Sequence, residues 1–221
     1  MINPDFLGVA LVYLYVIILL VITEKVLKFL PTDINRKILH IMVGNIAFLL
    51  PIFQTREVMA FLAAGPFIVF TFLMSPYSPI KKMRGNTSSA GHGMGLVYYA
   101  IAWTVLAYVF FDHMELIAIG ILAMSYGDGF ASIIGTRFGK IKYRVLGDEK
   151  SIIGSFSMFI FTLVTVIIAL IYYGISFDDK LLVIIYICIV ATVVEGFSPK
   201  GLDNISVPFV APILYWIYIF M

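Results

Sequence analysis

The sequence predicts an all-α fold: a polytopic transmembrane helical bundle of about eight spans, forming a single integral membrane domain over residues 1–221. Composition is the first reason, because 62% of the residues are hydrophobic and 13% are charged, whereas soluble domains carry about 25% charged residues. Apolar runs near the spanning length of about 20 residues also recur along the whole chain. No polar segment is long enough for a soluble domain, and no nucleic-acid partner is expected.

Each predicted span is bounded by polar or turn residues. The first apolar run of the chain is interpreted as a span and not as a signal peptide. It has no basic residue before it and no small-residue cleavage pattern after it. Arg36 and Lys37 open the second span, and Pro208 and Pro212 are expected to kink the last one. The predicted spans are residues 6–22, 38–53, 58–74, 94–111, 116–134, 152–173, 181–195 and 205–220.

The basic residues support this count because they fall on one side of the predicted membrane. Of the 15 lysines and arginines, all but Arg56 and Lys180 lie in the first, third, fifth and seventh loops. Cytoplasmic loops carry such an excess of Lys and Arg. We therefore expect these loops to be cytoplasmic and both termini to lie outside.

Residues 125–155 hold the densest group of candidate functional residues. Asp128 lies between two glycines inside an apolar run, and an acid within a membrane normally faces a partner or a wet cavity. Small residues recur every four positions from Gly127 to Gly139, which lets a helix or ligand approach closely. If the helix continues, Ser132 and Lys140 lie on the same polar ridge as Asp128. A packing motif with one structurally bonded acid is the alternative.

Lys150 and Ser151 open the sixth predicted span. We expect Ser151 to cap this helix, with Ser155 one turn further on. The helix N-terminus and the lysine together would form an anion site, where Gly154 would allow a phosphate close to the backbone. An ordinary capped helix is the alternative reading, and no Gly-rich P-loop motif occurs in the chain.

Further candidates lie at the cytoplasmic ends of other spans. Glu195 ends the seventh span, and Asp203 with Asn204 begins the eighth. Together with Asp128 these carboxylates are predicted to hold Mg²⁺, which prefers oxygen ligands and shares them with substrate phosphates.

The start of the second span supplies a basic group. Arg36 and His40 are four residues apart and share a helix face, with Lys37 beside them. Membrane anchoring explains the arginine and the lysine, whereas His40 points into the bundle and suggests phosphate binding or orientation. His92 is a weaker candidate of the same kind, and loop three, with Arg84, Asn86 and Thr87, is compatible with a lid.

Four segments in this order resemble the polyprenol kinase family. They are RKILHIMVG at 36–44, GDGFASIIGTRFGKIK at 127–142, KSIIGS at 150–155 and EGFSPKGLDNISVP at 195–208. That family includes dolichol, phytol and farnesol kinases and is related in sequence to the CDP-diacylglycerol synthases. The resemblance spans most of the chain from Arg36 to Pro208, and the chain looks like the compact, phytol-kinase-like form. It departs from the pattern at residues 199–201, where the family carries more acidic and apolar residues.

The resemblance implies transfer of the terminal phosphate of CTP to an isoprenoid alcohol in the lipid bilayer, with Mg²⁺ as cofactor. The active site would face the cytoplasm of a cell-membrane enzyme, and spans four to eight would hold the prenyl tail. The predicted catalytic residues are Asp128, Lys150 and His40, and the metal ligands are Asp128, Glu195 and Asp203. The predicted nucleotide-binding residues are Arg36, Lys37, Ser132, Lys140, Ser151, Gly154, Ser155 and Asn204.

Two other functions remain open at this point. A CTP-dependent lipid cytidylyltransferase would share the nucleotide and metal site, but it should carry a fuller acid set and a proline and a glutamate around KSIIGS. A small membrane transporter would suit the intramembrane acids, although it would not need basic residues clustered on their side. Loss of phosphoryl transfer in Asp128→Asn would indicate a kinase, and loss of flux without nucleotide dependence would indicate a transporter.

Overall fold

The structure is a computed structural model that describes residues 3–84 and 93–221, apart from the side chain of Met83. The candidates Asn86, Thr87 and His92 lie outside the described residues. The described residues are 76% helical, which confirms the predicted helical fold.

The first half of the chain forms helices that are interrupted by short non-α turns. The second helix, α2, begins at Thr32, six residues before the predicted second span. Arg36, Lys37 and His40 therefore all lie within it. The elements are α1 (Pro4–Val21) with a π-helical end (Ile22–Val26), α2 (Thr32–Val43) with 3₁₀ turns (Gly44–Phe48, Leu50–Ile52), a π-helical segment (Val58–Ala64) leading into α3 (Pro66–Met74), a 3₁₀ turn (Lys81–Met83), and α4 (Gly95–Val109).

The second half begins with a continuous helical rod at the centre of the bundle. The rod consists of α5 (Met114–Leu122), a π-helical segment (Ala123–Asp128) and α6 (Gly129–Phe138). The following elements are β1 (Lys142–Val145), β2 (Asp148–Ser151), α7 (Ile152–Tyr172), α8 (Leu181–Phe197) and α9 (Asp203–Phe220).

Small residues allow the central rod to be surrounded closely by its neighbours. A Cβ at Gly135 would lie 2.8 Å from Ser151 Oγ, and one at Gly127 would lie 2.6 Å from the sulfur of Met158 on α7. This confirms that the small-residue ridge lets another helix approach, and α7 is that helix. The close fit explains why 72% of the most apolar stretch of the rod is buried, whereas the corresponding share is 39% or less in the other three long helices.

The basic stretch 135–150 differs from the predicted loop. The helix continues to Phe138, and the chain then forms an antiparallel hairpin in which Lys142 pairs with Ser151 and Val145 with Asp148. Leu146 and Gly147 make the turn with φ of 50° and 97°, as a two-residue hairpin turn requires. Leu146 is an unusual residue for this conformation, so hydrophobic patterning gave no sign of a turn here.

Within the described residues, four helical stretches are long and apolar enough to cross a membrane: Pro4–Val26, Met114–Phe138, Ile152–Tyr172 and Asp203–Phe220. Three shorter apolar helices are Val58–Met74, Gly95–Val109 and Leu181–Phe197. The count of eight spans therefore stays a prediction. The last helix contains Pro208 and Pro212 within its length.

Candidate active site

A polar cavity of about 410 Å³ opens where α2, the central rod, the hairpin and the facing ends of α7, α8 and α9 meet. Most of the residues singled out from the sequence line it, although they come from distant parts of the chain. The predicted site residues in its wall are Arg36, Lys37, Asp128, Ser132, Lys150, Ser151, Gly154, Ser155, Glu195, Asp203 and Asn204.

Three carboxylates form a cluster in this cavity. One oxygen each from Asp128, Glu195 and Asp203 lies within 4.8 Å of the others. Asp128 is 4% and Glu195 5% exposed, and Asp203 is half-buried. Like charges this close disfavour the ionised forms unless cations neutralise them. The cluster therefore needs positive partners.

Lys37 and His40, one turn apart on α2, both reach Asp128. The Lys37 ammonium donates a hydrogen bond to Asp128 Oδ2 at 2.6 Å, and His40 Nε2 lies 3.5 Å from the same oxygen. Lys37 is itself buried, which is not the position of a cytoplasmic anchor. Its charge offsets the carboxylate instead.

Lys150 is the second cation, and it pairs with Glu195. Its ammonium donates to Glu195 Oε1 at 2.5 Å and also to the backbone carbonyl of the same residue. Burial disfavours the charged lysine, but the Glu195 carboxylate outweighs it and the pKa of Lys150 is raised. The ammonium thus remains charged at neutral pH.

The third carboxylate is oriented by its neighbour in sequence. The side-chain amide of Asn204 donates to Asp203 Oδ1 at 2.8 Å and to the carbonyl of Gly201 at 3.1 Å. The preceding turn has positive φ at Lys200 and Gly201. The segment that departs from the family pattern therefore forms the tight turn that begins α9.

At the start of α7, the predicted cap is confirmed, because Ser151 Oγ accepts from the amide of Gly154 at 3.2 Å. The amide of Ile152 donates to the carbonyl of Ile141 at 3.1 Å. Ser155 Oγ pairs with the hydroxyl of Tyr143 at 2.6 Å. Because these amides are already bonded, the helix end would attract an anion mainly through its dipole and its hydroxyl groups, and less through free N–H groups.

Gly154 has a packing role as well as a place in the cavity wall. A Cβ there would lie 3.0 Å from the carbonyl oxygen of Ala131 and 3.3 Å from the Cα of Gly135. The absence of a side chain therefore brings α7 against α6 and sets the position of both cavity walls.

Arg36, in the wall of the cavity, has one side-chain donor without an acceptor in the part of the chain that the structure describes. Its Nε is buried and has no hydrogen-bond partner among the described residues, although Arg36 lines the polar cavity. A buried polar group is normally hydrogen-bonded. An anion in the cavity would satisfy it.

Lys140 does not join the site, and the expected continuation of its helix is wrong. The helix ends at Phe138, and Gly139 has a non-helical ψ of 87°. Lys140 is exposed and is not part of the cavity wall. Lys142 on β1 lines the cavity instead and pairs with Glu149 at 2.5 Å.

Sequence reasoning missed several residues of the cavity wall. Lys142, Asp148 and Glu149 line it from the hairpin, and Ser198 from the end of α8. Asp148 Oδ2 accepts from the backbone amide of Lys200 at 2.7 Å, which ties the hairpin to the turn before α9. The signal was present in the mixed charges of residues 142–150, but only the hairpin places them.

The donor set fits a divalent cation such as Mg²⁺. Asp128, Glu195 and Asp203 offer the carboxylate oxygens that this ion prefers, and their spacing within 4.8 Å suits a shared ion. With all groups ionised, the three carboxylates exceed the two lysines that pair with them by one negative charge. The residues present can therefore accommodate a cation.

A second, apolar cavity of about 110 Å³ lies beside the polar one. Its wall comes from α1, α2, the segment from Val58 to Met74, and α4. The prenyl tail was expected among spans four to eight, but this cavity lies among the first four. His40 lines this apolar cavity and is not among the residues that line the polar cavity.

Curated proteins similar to this chain are phytol kinases. The chain is 29% identical to a phytol kinase of a Synechocystis species over 95% of this chain and 89% of that protein. It is 29% identical to a probable chloroplastic phytol kinase of Triticum aestivum over 85% of this chain and 67% of that protein. It is 32% identical to phytol kinase 1 of Arabidopsis thaliana over 80% and 63% of the two chains. No family model and no solved structure matches the chain.

Proposed function

Because the chain belongs to the polyprenol kinase family, in which its relatives are phytol kinases, we propose that it is a membrane kinase for an isoprenoid alcohol. The phosphate donor is CTP and the cofactor is Mg²⁺. The observation that carries the proposal is the cluster of Asp128, Glu195 and Asp203, whose oxygens lie within 4.8 Å of one another and which pairs with Lys37 and Lys150. Phosphoryl transfer depends mainly on positioning and on neutralising charge, and this arrangement suits both.

The triphosphate binds in the polar cavity. Arg36 supports this placement, since its buried Nε has no partner among the described residues. Ser132, Ser151 and Ser155 supply hydroxyl groups along the same wall, and the N-terminus of α7 adds a favourable dipole. Lys150 contributes its charge at the junction of this wall and the carboxylates.

Asp128, Glu195 and Asp203 are the residues that hold Mg²⁺. When bound, the ion neutralises phosphate charge and aligns the terminal phosphate for attack. Asn204 orients Asp203, Lys150 fixes Glu195, and Lys37 pairs with Asp128, so all three carboxylates are held by neighbouring side chains.

The proposed transfer needs no reactant other than CTP and the alcohol. The alcohol oxygen forms a bond to the γ-phosphorus of CTP, and the bond from that phosphorus to the β–γ bridging oxygen breaks. CDP leaves with the electron pair, and the hydroxyl proton passes to Asp128, the carboxylate nearest His40 and the apolar cavity. Such proton transfer contributes about 10²–10⁴-fold in enzymes.

We place the polar cavity on the cytoplasmic side of a bundle of eight spans. The charge asymmetry of the loops supports this orientation. The polar cavity would then take up CTP from the cytoplasm. Both termini then lie outside.

The test uses the purified full chain in detergent with Mg²⁺, phytol or geranylgeraniol, and CTP labelled at either the α- or the γ-phosphate. A kinase transfers the γ label to lipid and leaves the α label in CDP. A cytidylyltransferase given a phosphorylated lipid instead transfers the α label and releases the γ label as pyrophosphate. Parallel reactions with γ-labelled ATP test the donor. No labelled lipid from any pair of donor and alcohol would overturn the proposal.

A further inference from the structure

The apolar cavity among the first four spans has a composition that suits one kind of ligand. Among its described lining residues there is no Lys, Arg, Asp or Glu. Thr71 Oγ1 is bonded to the carbonyl of Phe67 at 2.7 Å, and the Tyr99 hydroxyl pairs with Ser125 at 3.1 Å. Its polar groups are therefore few and mostly satisfied. Such a wall favours an uncharged hydrocarbon chain over a charged lipid headgroup.

One lining nitrogen, His40 Nε2, is buried without a hydrogen-bond partner among the described residues. His40 Nε2 lies 3.5 Å from Asp128 Oδ2, where the carboxylate cluster begins. A buried nitrogen in this position needs a polar partner. One hydroxyl group at the inner end of the cavity would supply it.

The two cavities meet at this point. Leu96 on α4 lines both of them. On α2, Lys37 lines the polar cavity and His40, one turn later, lines the apolar one, while both approach Asp128. A molecule in the apolar cavity would therefore present one end to the carboxylate cluster.

The apolar cavity also has the length for a chain. One wall runs from Met59 to Met74, which corresponds to about 20 Å of helix. The hydrocarbon core of a bilayer is ~30 Å thick. The residues that line the cavity thus span a large part of that thickness, in the direction away from the polar cavity.

We propose that the apolar cavity between α1, α2, α3 and α4 binds the isoprenoid chain of the acceptor, with its hydroxyl group beside His40 and Asp128. This inference rests on the proposed function and names the site that the acceptor occupies. His40 is then a positioning residue that orients the hydroxyl group toward Asp128, which takes its proton.

The first test maps the site without relying on turnover. A geranylgeraniol analogue with a photoreactive diazirine on its chain is irradiated with the purified full chain, and labelled peptides are identified by mass spectrometry. We expect labels in residues 12–20, 59–74 and 96–103, and competition by unlabelled geranylgeraniol. Labels confined to α7, α8 and α9 would overturn the site. Competition by a phospholipid but not by the alcohol would assign the cavity to structural lipid.

The second test narrows the cavity partway along its length. Ala63 lines it and is 4% exposed, whereas Ala60 is fully buried in the same helical segment but does not line it. In Ala63→Phe we expect kcat/KM to fall by about 10-fold or more for a C20 alcohol and much less for a C10 alcohol, because a few methylenes in an apolar pocket are worth this much. In the matched control Ala60→Phe, both alcohols should be affected equally.

The outcomes separate this inference from the proposed function. If the chain phosphorylates prenyl alcohols but Ala63→Phe lowers C10 and C20 activity equally, and the photolabel lies elsewhere, the tail site is wrong and the kinase stands. If the photolabel maps to the cavity but no phosphorylated lipid forms with any donor, the chain binds prenols without being a kinase.

Discussion

Asp128 is the residue at which the site comes together. It lies in the π-helical turn of the central rod, where its carboxylate contacts Lys37 and His40 from α2 and lies within 4.8 Å of an oxygen from Glu195 and one from Asp203. A carboxylate in this position can interact with a metal, a lysine and the acceptor hydroxyl group. Its replacement should therefore affect the chemistry directly.

We expect Asp128→Asn to lower kcat by about 10²–10⁴-fold, because an amide can neither accept the hydroxyl proton nor ligate Mg²⁺ as a carboxylate does. The measurement is steady-state transfer of γ label from CTP to lipid at saturating substrate. Asp33→Asn, which changes an exposed acid in the first turn of α2, is the matched control and should retain wild-type turnover. An Asp128→Asn variant with wild-type kcat would contradict the assignment.

Lys150 allows a prediction about stability, because its partner Glu195 is buried. Loss of one member of a buried pair costs about 3–5 kcal/mol, so Lys150→Met should lower the free energy of unfolding by an amount of this order. Lys142→Met is the control, since Lys142 is 56% exposed and surface pairs contribute about 1 kcal/mol or less. Chemical denaturation in detergent micelles measures both. Equal effects of the two substitutions would contradict the buried pairing.

The same pair gives a pH dependence with a defined sign. The Glu195 carboxylate raises the pKa of Lys150 above the ordinary lysine value of 10.5 in spite of burial. A raised pKa in the folded state means that the stabilisation is complete below the unfolded value and is lost as pH rises through the folded value. The stabilisation that the Lys150 charge contributes should therefore be complete at neutral pH and should decrease as pH rises above about 10.

At the scale of elements, the contact between α6 and α7 sets the width of the polar cavity. A Cβ at Gly154 would lie 3.0 Å from the backbone oxygen of Ala131, and neither backbone can move without separating the helices. At Gly95, the first residue of α4, a Cβ would meet Asn204 Nδ2 at 3.4 Å, an ordinary contact.

We therefore expect Gly154→Ala and Gly95→Ala to change stability in opposite directions. Gly154→Ala should destabilise the protein by about 1–3 kcal/mol through overpacking. Gly95→Ala should be neutral or stabilise by up to about 1 kcal/mol, because it reduces the entropy of the unfolded chain. Thermal unfolding of both variants in the same detergent measures the sign. Stabilisation by Gly154→Ala would show that the helices are not in close contact.

Sequence patterning predicted the helices of the second half well, since α7, α8 and α9 fall within two residues of their predicted bounds. It failed where hydrophobicity does not determine structure. In the two-residue turn only Gly147 is a typical turn residue, since Leu146 rarely adopts a positive φ, and the end of α6 before Lys140 depends on Gly139 adopting a non-helical ψ. The three carboxylates were identified from the sequence, but the pairing of Lys37 with Asp128 depends on packing between α2 and the central rod.

At the scale of the whole molecule, two cavities of opposite character share one boundary. The apolar cavity is enclosed by α1 to α4, and the polar cavity by α2, the start of α4, the central rod and the elements after it. α2 and α4 contribute to both. In the proposed function, this division separates the hydrocarbon chain from the charged nucleotide and brings their reacting ends together beside Asp128.

The orientation of the protein in the membrane can be tested by labelling single cysteines. With the native Cys188 replaced by alanine, single cysteines are placed at exposed Lys82, predicted to be cytoplasmic, and at exposed Asp178, predicted to be outside. A membrane-impermeant maleimide applied to intact cells should label Asp178→Cys at once. It should label Lys82→Cys only after the membrane is permeabilised, because the reagent cannot reach a cytoplasmic loop. The reverse pattern would place the polar cavity outside, away from cytoplasmic CTP, and would contradict the proposed donor together with the orientation.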